Sequence, residues 1–236
     1  MVLILNKLFG KFQLKIKDRA SAAHILAGTL RHILKKVDAS DIVVVGLPRG
    51  GFVMADIIAT KLYCNLDMII SKRLRAPHNE ELAIGAITED GTSYVNNTLI
   101  KELKISDEYL EKESSCQLQE IKRLSEMYYQ GKKTFLDDRY VTGNNKTIVI
   151  VDDGAATGST IIAASRGLRK KYNPKFIIVA ITVAPKGTIN LLRREGIDYA
   201  ASIISPNDEN FRTVEQFYQN FDQILDNEIL DIIGTK

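Results

Sequence analysis

The feature that most constrains this chain is a set of short, unbroken apolar runs: "IVVVG" (42–46), "TIVIV" (147–151), "FIIVAITVA" (176–184) and "YAASII" (199–204). A strand wetted on one face alternates polar and apolar residues. A run with no polar position must be covered on both faces, as in a parallel sheet enclosed by helices. The intervening segments supply the helices. From Asp18 to Val37 the residues Ala23, Leu26, Ala27, Leu30, Ile33 and Leu34 recur at helical spacing with Asp18 as N-cap, and "FVMADIIATKL", 161–171 and 187–195 follow the same rule. The fold class expected is α/β, an open parallel sheet with helices on both faces. A fifth run, "LDMIIS" (66–71), leads into a stretch where Pro77, Gly85 and Asp90–Gly91 mark a loop and a hairpin that interrupt the parallel topology. Ser106, Asp107 and Glu108 then open a charged helix that runs to about Tyr129 and ends at Gly131. It reads as an inserted arm, so that 1–236 forms a single domain with a helical insertion near 97–145.

Composition narrows the function classes. The chain has 236 residues, 45% of them hydrophobic, enough for a sizeable core. Its 32 Lys and Arg against 29 Asp and Glu leave a net charge of +3, which suits a small polyanionic ligand and falls short of the excess expected of a nucleic-acid binder. Cys64 and Cys116 are far apart and outside any C-x-x-C pattern, so they read as free thiols. The short apolar start "MVLILNKLFGKF" does not extend to a signal peptide, no segment is apolar over a bilayer's width, and the expected location is the cytoplasm.

The chemistry concentrates where "IVIVDDGAATGST" (148–160) leaves its strand. In open α/β sheets, ligands bind beyond the carboxyl ends of the strands, where loops meet helix N-termini. Here Asp152 and Asp153 are followed by Gly154, Ala155, Ala156, Thr157, Gly158, Ser159 and Thr160. Small residues let the backbone approach a ligand, the N–H groups of the next helix favour an anion, and the hydroxyls add donors, which together make a phosphate cradle. The carboxylates repel that phosphate but accept hydrogen bonds from a vicinal diol, directly or through Mg²⁺ and water. Sugar next to phosphate is the implied ligand. A P-loop would need a lysine after Gly158 and a dinucleotide fingerprint would need G-x-G-x-x-G; both are missing. A phospho-acceptor receiver domain also opens on an acidic pair, but needs a distal lysine and further elements the chain scarcely accommodates. A solvated aspartate pair in a tight turn would explain an isolated D-D-G, not thirteen consecutive matching residues.

The segment resembles the phosphoribosyl pyrophosphate (PRPP) motif of the type I phosphoribosyltransferases: apolar strand, two acidic residues, small residues, then T-G-x-T. The resemblance extends to a little-studied predicted subgroup through "FQLKIKDRASAAHILAGTL", "VVVGLPRGG", "LAIGAITEDG" and "SPNDENFRTVEQFYQNFDQILDNEI". It implies that Asp152 and Asp153 hold the ribose hydroxyls and Mg²⁺ and count among the catalytic residues, while 154–160 hold the 5′-phosphate. "PRGG" would be the pyrophosphate loop, with Arg49 supplying charge and Gly50 and Gly51 allowing close approach. As a bare strand-to-helix turn, the same residues would need no ligand. Lys72 and Arg73, read as ending a strand on the same side, become pyrophosphate ligands, with Lys72 also a catalytic candidate; a solvated basic pair is the plain alternative. His24 and His32 read as packing or surface residues, and His78 is not read as a ligand.

The resemblance also implies a homodimer, a hood from about 1–17 and 205–236 that selects a small nitrogenous acceptor, and transfer through an oxocarbenium-like state. A non-catalytic PRPP sensor would use the same pocket. Two departures stand out. Arg75, His78 and Glu80 replace the glycines and proline more usual in the family. Ala156 stands where 6-oxopurine transferases carry an aspartate, so hypoxanthine and guanine are expected to be poor acceptors. Residues 73–91 are expected to close as a lid, with Arg73 and Arg75 drawn to the pyrophosphate and Gly85 and Gly91 as hinges.

Overall fold

The computed structural model describes residues 2–4, 15–130 and 146–235. In chain order these form β1 (Val2–Ile4), α1 (Arg19–Ile33), β2 (Ile42–Gly46), α2 (Gly50–Leu62), β3 (Asn65–Met68), β4 (Ser71–Ala76), β5 (Asn79–Thr88), β6 (Ser93–Val95), α3 (Asn97–Glu102), α4 (Asp107–Tyr129), β7 (Thr147–Asp152), α5 (Ser159–Tyr172), β8 (Phe176–Val183), α6 (Lys186–Arg194), β9 (Tyr199–Ile204) and α7 (Asp226–Gly234). Six strands pair in parallel in the order β1-β9-β8-β7-β2-β3, while β4, β5 and β6 make a separate antiparallel sheet.

The apolar runs divide between the two faces of the main sheet. Val44, Val149, Val151 and Ile178 pack against Leu26 and Leu30 of α1 and Met54 and Ile58 of α2. Their neighbours Val43, Val45, Ile148, Ile150 and Val179 pack against Ile161 and Leu168 of α5 and Ile189 and Leu192 of α6. Each such side chain contributes about 1.5–3 kcal/mol by leaving water, so the run pattern and the two helical layers are one physical fact. From β2 the chain moves to β3 on one side; β7 then lies on the other side of β2 and leads to β8. The connections after β2 and β7 therefore diverge, which opens a crevice between their carboxyl ends.

A third core sits where the second sheet meets α4 and α7, built from Leu74, Ile84, Ile87, Ile121, Leu124, Tyr128 and Ile229. Helix α4 is thus packed, not a free arm. Its cap is Gln130 in the left-handed region (φ 49°); Gly131, the expected end, lies outside the described residues, as do most of residues 1–17 and the rest of the insertion to 145. The "LDMIIS" run also divides: β3 ends at Met68, Ile69 belongs to the core under α5, Ile70 belongs to the core under α4, and Ser71 begins β4. Apolarity alone could not locate that break, because both destinations are buried. The Asp90–Gly91 turn is as expected, with Gly91 at φ 77° and Asp90 accepting from the Thr88 hydroxyl at 2.6 Å and the Thr92 hydroxyl at 2.7 Å. On the far side, Ile16, Phe217 and Tyr218 join the core beneath α1.

Candidate functional site

Beyond β2 and β7 lies a cleft of about 570 Å³, within the roughly 300–1,000 Å³ of small-molecule sites. One wall is the segment after β7. Gly154, Ala155, Ala156, Thr157, Gly158 and Thr160 all line the cleft. Ser159 instead is 3% exposed beneath it, its hydroxyl 2.9 Å from that of Thr157. Gly158 takes φ 73°, a conformation glycine adopts without strain, and so turns the chain into α5. The Thr188 hydroxyl holds the loop from behind by donating to the Ala156 carbonyl at 2.5 Å.

The floor is the acidic pair. Asp152 Oδ1 accepts from the Asp153 backbone N–H at 2.9 Å, and Asp153 Oδ2 accepts from Arg19 Nε at 2.8 Å. Burial pushes the pKa of Asp152 well above the usual carboxylate range, and the neighbouring charge of Asp153 adds to the effect. Burial also raises Asp153, opposed by the Arg19 guanidinium. The Tyr218 hydroxyl donates to the Asp153 carbonyl at 2.8 Å and lies 2.6 Å from the Thr182 hydroxyl, fixing the chain just past the pair. Arg19 and Tyr218 escape a sequence reading because their partners are 134 and 65 residues away; both lie in stretches that carry the family resemblance, which gave them no role.

The glycines of "PRGG" are set by the same pair. A Cβ on Gly50 would overlap the Asp153 carboxylate, and one on Gly51 would overlap the Val151 carbonyl at the end of β7. Gly50 lines the cleft with Pro48 and Arg49, and Gly51 is buried against β7. The Pro48–Arg49 peptide is cis.

The second sheet supplies a further part of the lining, with the hydroxyl of Ser71 at the start of β4 3.5 Å from the Thr160 carbonyl. Lys72 and Arg73 both line the cleft, but as adjacent residues inside β4, so they alternate faces and do not end a parallel strand together. Among the described residues, each basic group of the cleft except Arg73 has a carboxylate partner from the helices behind. Lys72 Nζ is 3.7 Å from Glu120 of α4, Arg49 is 3.7 Å from Asp226 of α7, and Arg75 Nε is 3.0 Å from the buried Glu113 of α4. Tyr128 donates to Asp226 as well. Arg75 is held further: its backbone N–H donates to Glu113 at 3.0 Å and its carbonyl accepts from Tyr109 at 3.0 Å. Gly85 is not a free hinge either, since it pairs with Leu74 and Val95 in the middle of the three strands.

His24, His32 and His78 take no part in the cleft. Among the described residues no group of three or more His, Cys, Asp or Glu side chains could hold a metal by itself. Two adjacent carboxylates still suit Mg²⁺ that arrives with a diphosphate, because that ion keeps most of its ligands from phosphate and water. No described helix is long and apolar enough to cross a membrane.

The profile of the phosphoribosyl transferase domain matches residues 13–218. The chain belongs to the phosphoribosyl transferase family. Two Mycobacterium tuberculosis proteins, from strains H37Rv and CDC 1551, carry a provisional phosphoribosyl transferase name and are each 33% identical over 214 residues, 90% of this chain. That match covers 45% of their length, so the chain spans about half of the curated relatives it matches. Among solved structures, TT1426 from Thermus thermophilus superposes with a TM-score of 0.69 at 28% identity, over 93% of this chain and 98% of that one. The fold is that of the type I phosphoribosyltransferases, and the open α/β class expected from the apolar runs is the one found.

Proposed function

We propose that the family chemistry here is transfer of 5-phosphoribosyl from PRPP to a nitrogenous acceptor, a nucleobase or related amine, with release of pyrophosphate. The observation that carries this reading is the set of chemistries gathered in one cleft: cationic side chains, a buried carboxylate pair and a small-residue loop at a helix N-terminus. They suit the diphosphate, vicinal diol and 5′-phosphate that PRPP carries on one sugar. Thr157 and the loop 154–160 hold the 5′-phosphate, through N–H groups other than that of Ala155, which is committed to the Val183 carbonyl at 2.9 Å. Asp152 and Asp153 accept from the ribose hydroxyls. Arg49, Gly50, Lys72 and Arg73 take the diphosphate, and Gly51 lets the loop close against β7. Mg²⁺ bound with the diphosphate neutralises its charge.

In the transfer the C1′–O bond to pyrophosphate breaks, the C1′–N bond forms and the acceptor's N–H proton is released. The chain's own work is to orient the ribose, exclude water and place Lys72 and Arg73 where negative charge develops on the leaving group. The family resemblance supports a homodimer, and free thiols at Cys64 and Cys116 support a reducing, cytoplasmic setting.

One observation favours a second reading, a non-catalytic PRPP sensor. Arg49 and Lys72 are tied to α7 and α4, so a polyanion that draws them forward would alter contacts of both helices. PRPP-dependent pyrophosphate release, screened over nucleobases and small amines, separates the two. Turnover with at least one acceptor is the result expected. Hypoxanthine and guanine should be about 10²- to 10⁴-fold poorer than that acceptor, because Ala156 supplies no proton-handling carboxylate. PRPP binding without release for any acceptor would favour the sensor.

A further inference from the structure

The assigned roles leave out the most tightly fixed cation at the site. Arg19, at the start of α1, has a side chain only 12% exposed. Its Nε donates to Asp153 Oδ2 at 2.8 Å, its Nη1 donates to the Asp222 carbonyl at 2.7 Å, and its guanidinium lies 3.8 Å from the centroid of the Phe221 ring. The guanidinium is thus held from three directions at once. A planar fork is needed for this combination of stacking and directed donation, which an ammonium cannot reproduce.

Resting on the phosphoribosyl reading, we propose that Arg19 is a positioning residue for the sugar site. By holding one oxygen of Asp153 it fixes which oxygen faces the ribose. Asp152 is constrained in parallel, since its Oδ1 is committed to the Asp153 N–H. Among the described residues each carboxylate then keeps one oxygen without a side-chain partner, which gives two acceptors for two vicinal hydroxyls. Gly50 ties this arrangement to the diphosphate loop, because a side chain there would strike both the Asp153 carboxylate and Arg19 Nε. Arg19 thereby sets the sugar acceptors and the diphosphate loop in a fixed relation, and the C-terminal segment at Phe221 and Asp222 completes its seat. Preorganisation of this kind favours ligands that carry the diol.

A purely architectural Arg19, pinning the C-terminal segment to α1, would behave differently: its loss would weaken every ligand alike. The test measures the affinity of the full chain for Mg·PRPP, ribose 5-phosphate and inorganic pyrophosphate by calorimetry, in wild type, Arg19→Gln and Arg19→Lys. In Arg19→Gln the two ribose ligands should weaken at least tenfold while pyrophosphate stays within about twofold, the size expected for a charge-assisted hydrogen bond confined to the sugar. Arg19→Lys should recover part of the loss. Should Arg19→Gln fail to fold, Phe221→Leu keeps both Arg19 hydrogen bonds, removes the ring that Arg19 and Tyr218 share, and carries the same comparison. Equal loss for all three ligands, or unchanged PRPP affinity in a variant of a wild-type protein that binds PRPP, overturns the positioning role. A wild-type protein that binds no PRPP overturns the underlying reading instead, and this inference with it.

Discussion

At the end of β7 the Asp152 carboxylate is buried beside Asp153, and among the described residues no cation lies within ion-pair distance of it. Its native pKa is therefore raised above that of the unfolded chain, near 4. A carboxylate shifted this way stabilises the fold only while protonated: the contribution is present below the unfolded pKa and is lost as pH rises through the native value. Above the unfolded value the ligand-free protein carries a growing part of that cost, and all of it once pH passes the native value. Asp152→Asn keeps an oxygen to accept from the Asp153 N–H and removes the charge. The ligand-free variant should therefore melt above wild type at neutral pH, by about 2–4 °C per kcal/mol relieved, with the gap closing as pH falls. A lower melting temperature at neutral pH would show that burial does not govern this carboxylate. The cations behave in the opposite sense. Glu120 draws Lys72 away from the cleft, both groups being about a third exposed. Glu120→Gln should tighten inorganic pyrophosphate by about 1.5- to 5-fold, the scale of an exposed ion pair, as read by calorimetry. Unchanged or weaker binding would place Lys72 outside the diphosphate subsite. The acidic pair was legible in the sequence because its neighbours along the chain define it. Arg19, Glu113, Glu120 and Asp226 were not, because each acts through a partner that only the fold brings near.

Among the elements, the β4–β5 hairpin shows where sequence reasoning and packing diverge. Its punctuation at Pro77 was readable, as was the Asp90–Gly91 turn that leads on from β5 to β6. What the sequence could not show is that α4, read as an arm, lies against β4 and supplies Glu113 and Tyr109 to Arg75. An arm and a packed helix present the same amphipathic pattern; only the partner face distinguishes them. A closure that swings Arg75 and hinges at Gly85 would break three hydrogen bonds and the centre of the small sheet. Any lid movement is therefore confined to the hairpin tip beyond Arg75. Trypsin cleavage after Arg75 should be slow with or without PRPP. Glu113→Ala, which strips the Arg75 backbone N–H of its acceptor and leaves the part-exposed guanidinium only Glu80 at 3.5 Å, should speed it about two- to tenfold, the scale of a lost hydrogen bond, since cleavage follows the open population. Rapid cleavage after Arg75 in wild type, suppressed by PRPP, would restore the larger lid.

Across the whole molecule, the main sheet was legible because continuous apolar runs admit few arrangements once both faces must be covered. The run 147–152 could be placed beside 42–46 only by the structure, yet that adjacency makes the crevice and brings "PRGG" against the acidic pair. The third core under α4 and α7 was not legible, since its contributors come from positions 52 to 229. The central claim is that the crevice between β2 and β7 binds PRPP through Asp152 and Asp153. The most direct test is the melting temperature of the full chain with and without Mg·PRPP, alongside the Asp152→Asn, Asp153→Asn double variant. At a hundredfold excess over its Kd, a ligand of the native state adds about 2.7 kcal/mol. That corresponds to a rise of about 5–10 °C for a chain of this size. The account predicts that rise in wild type and its disappearance in the double variant; no shift in wild type at saturating PRPP and Mg²⁺, or an equal shift in the double variant, would contradict it.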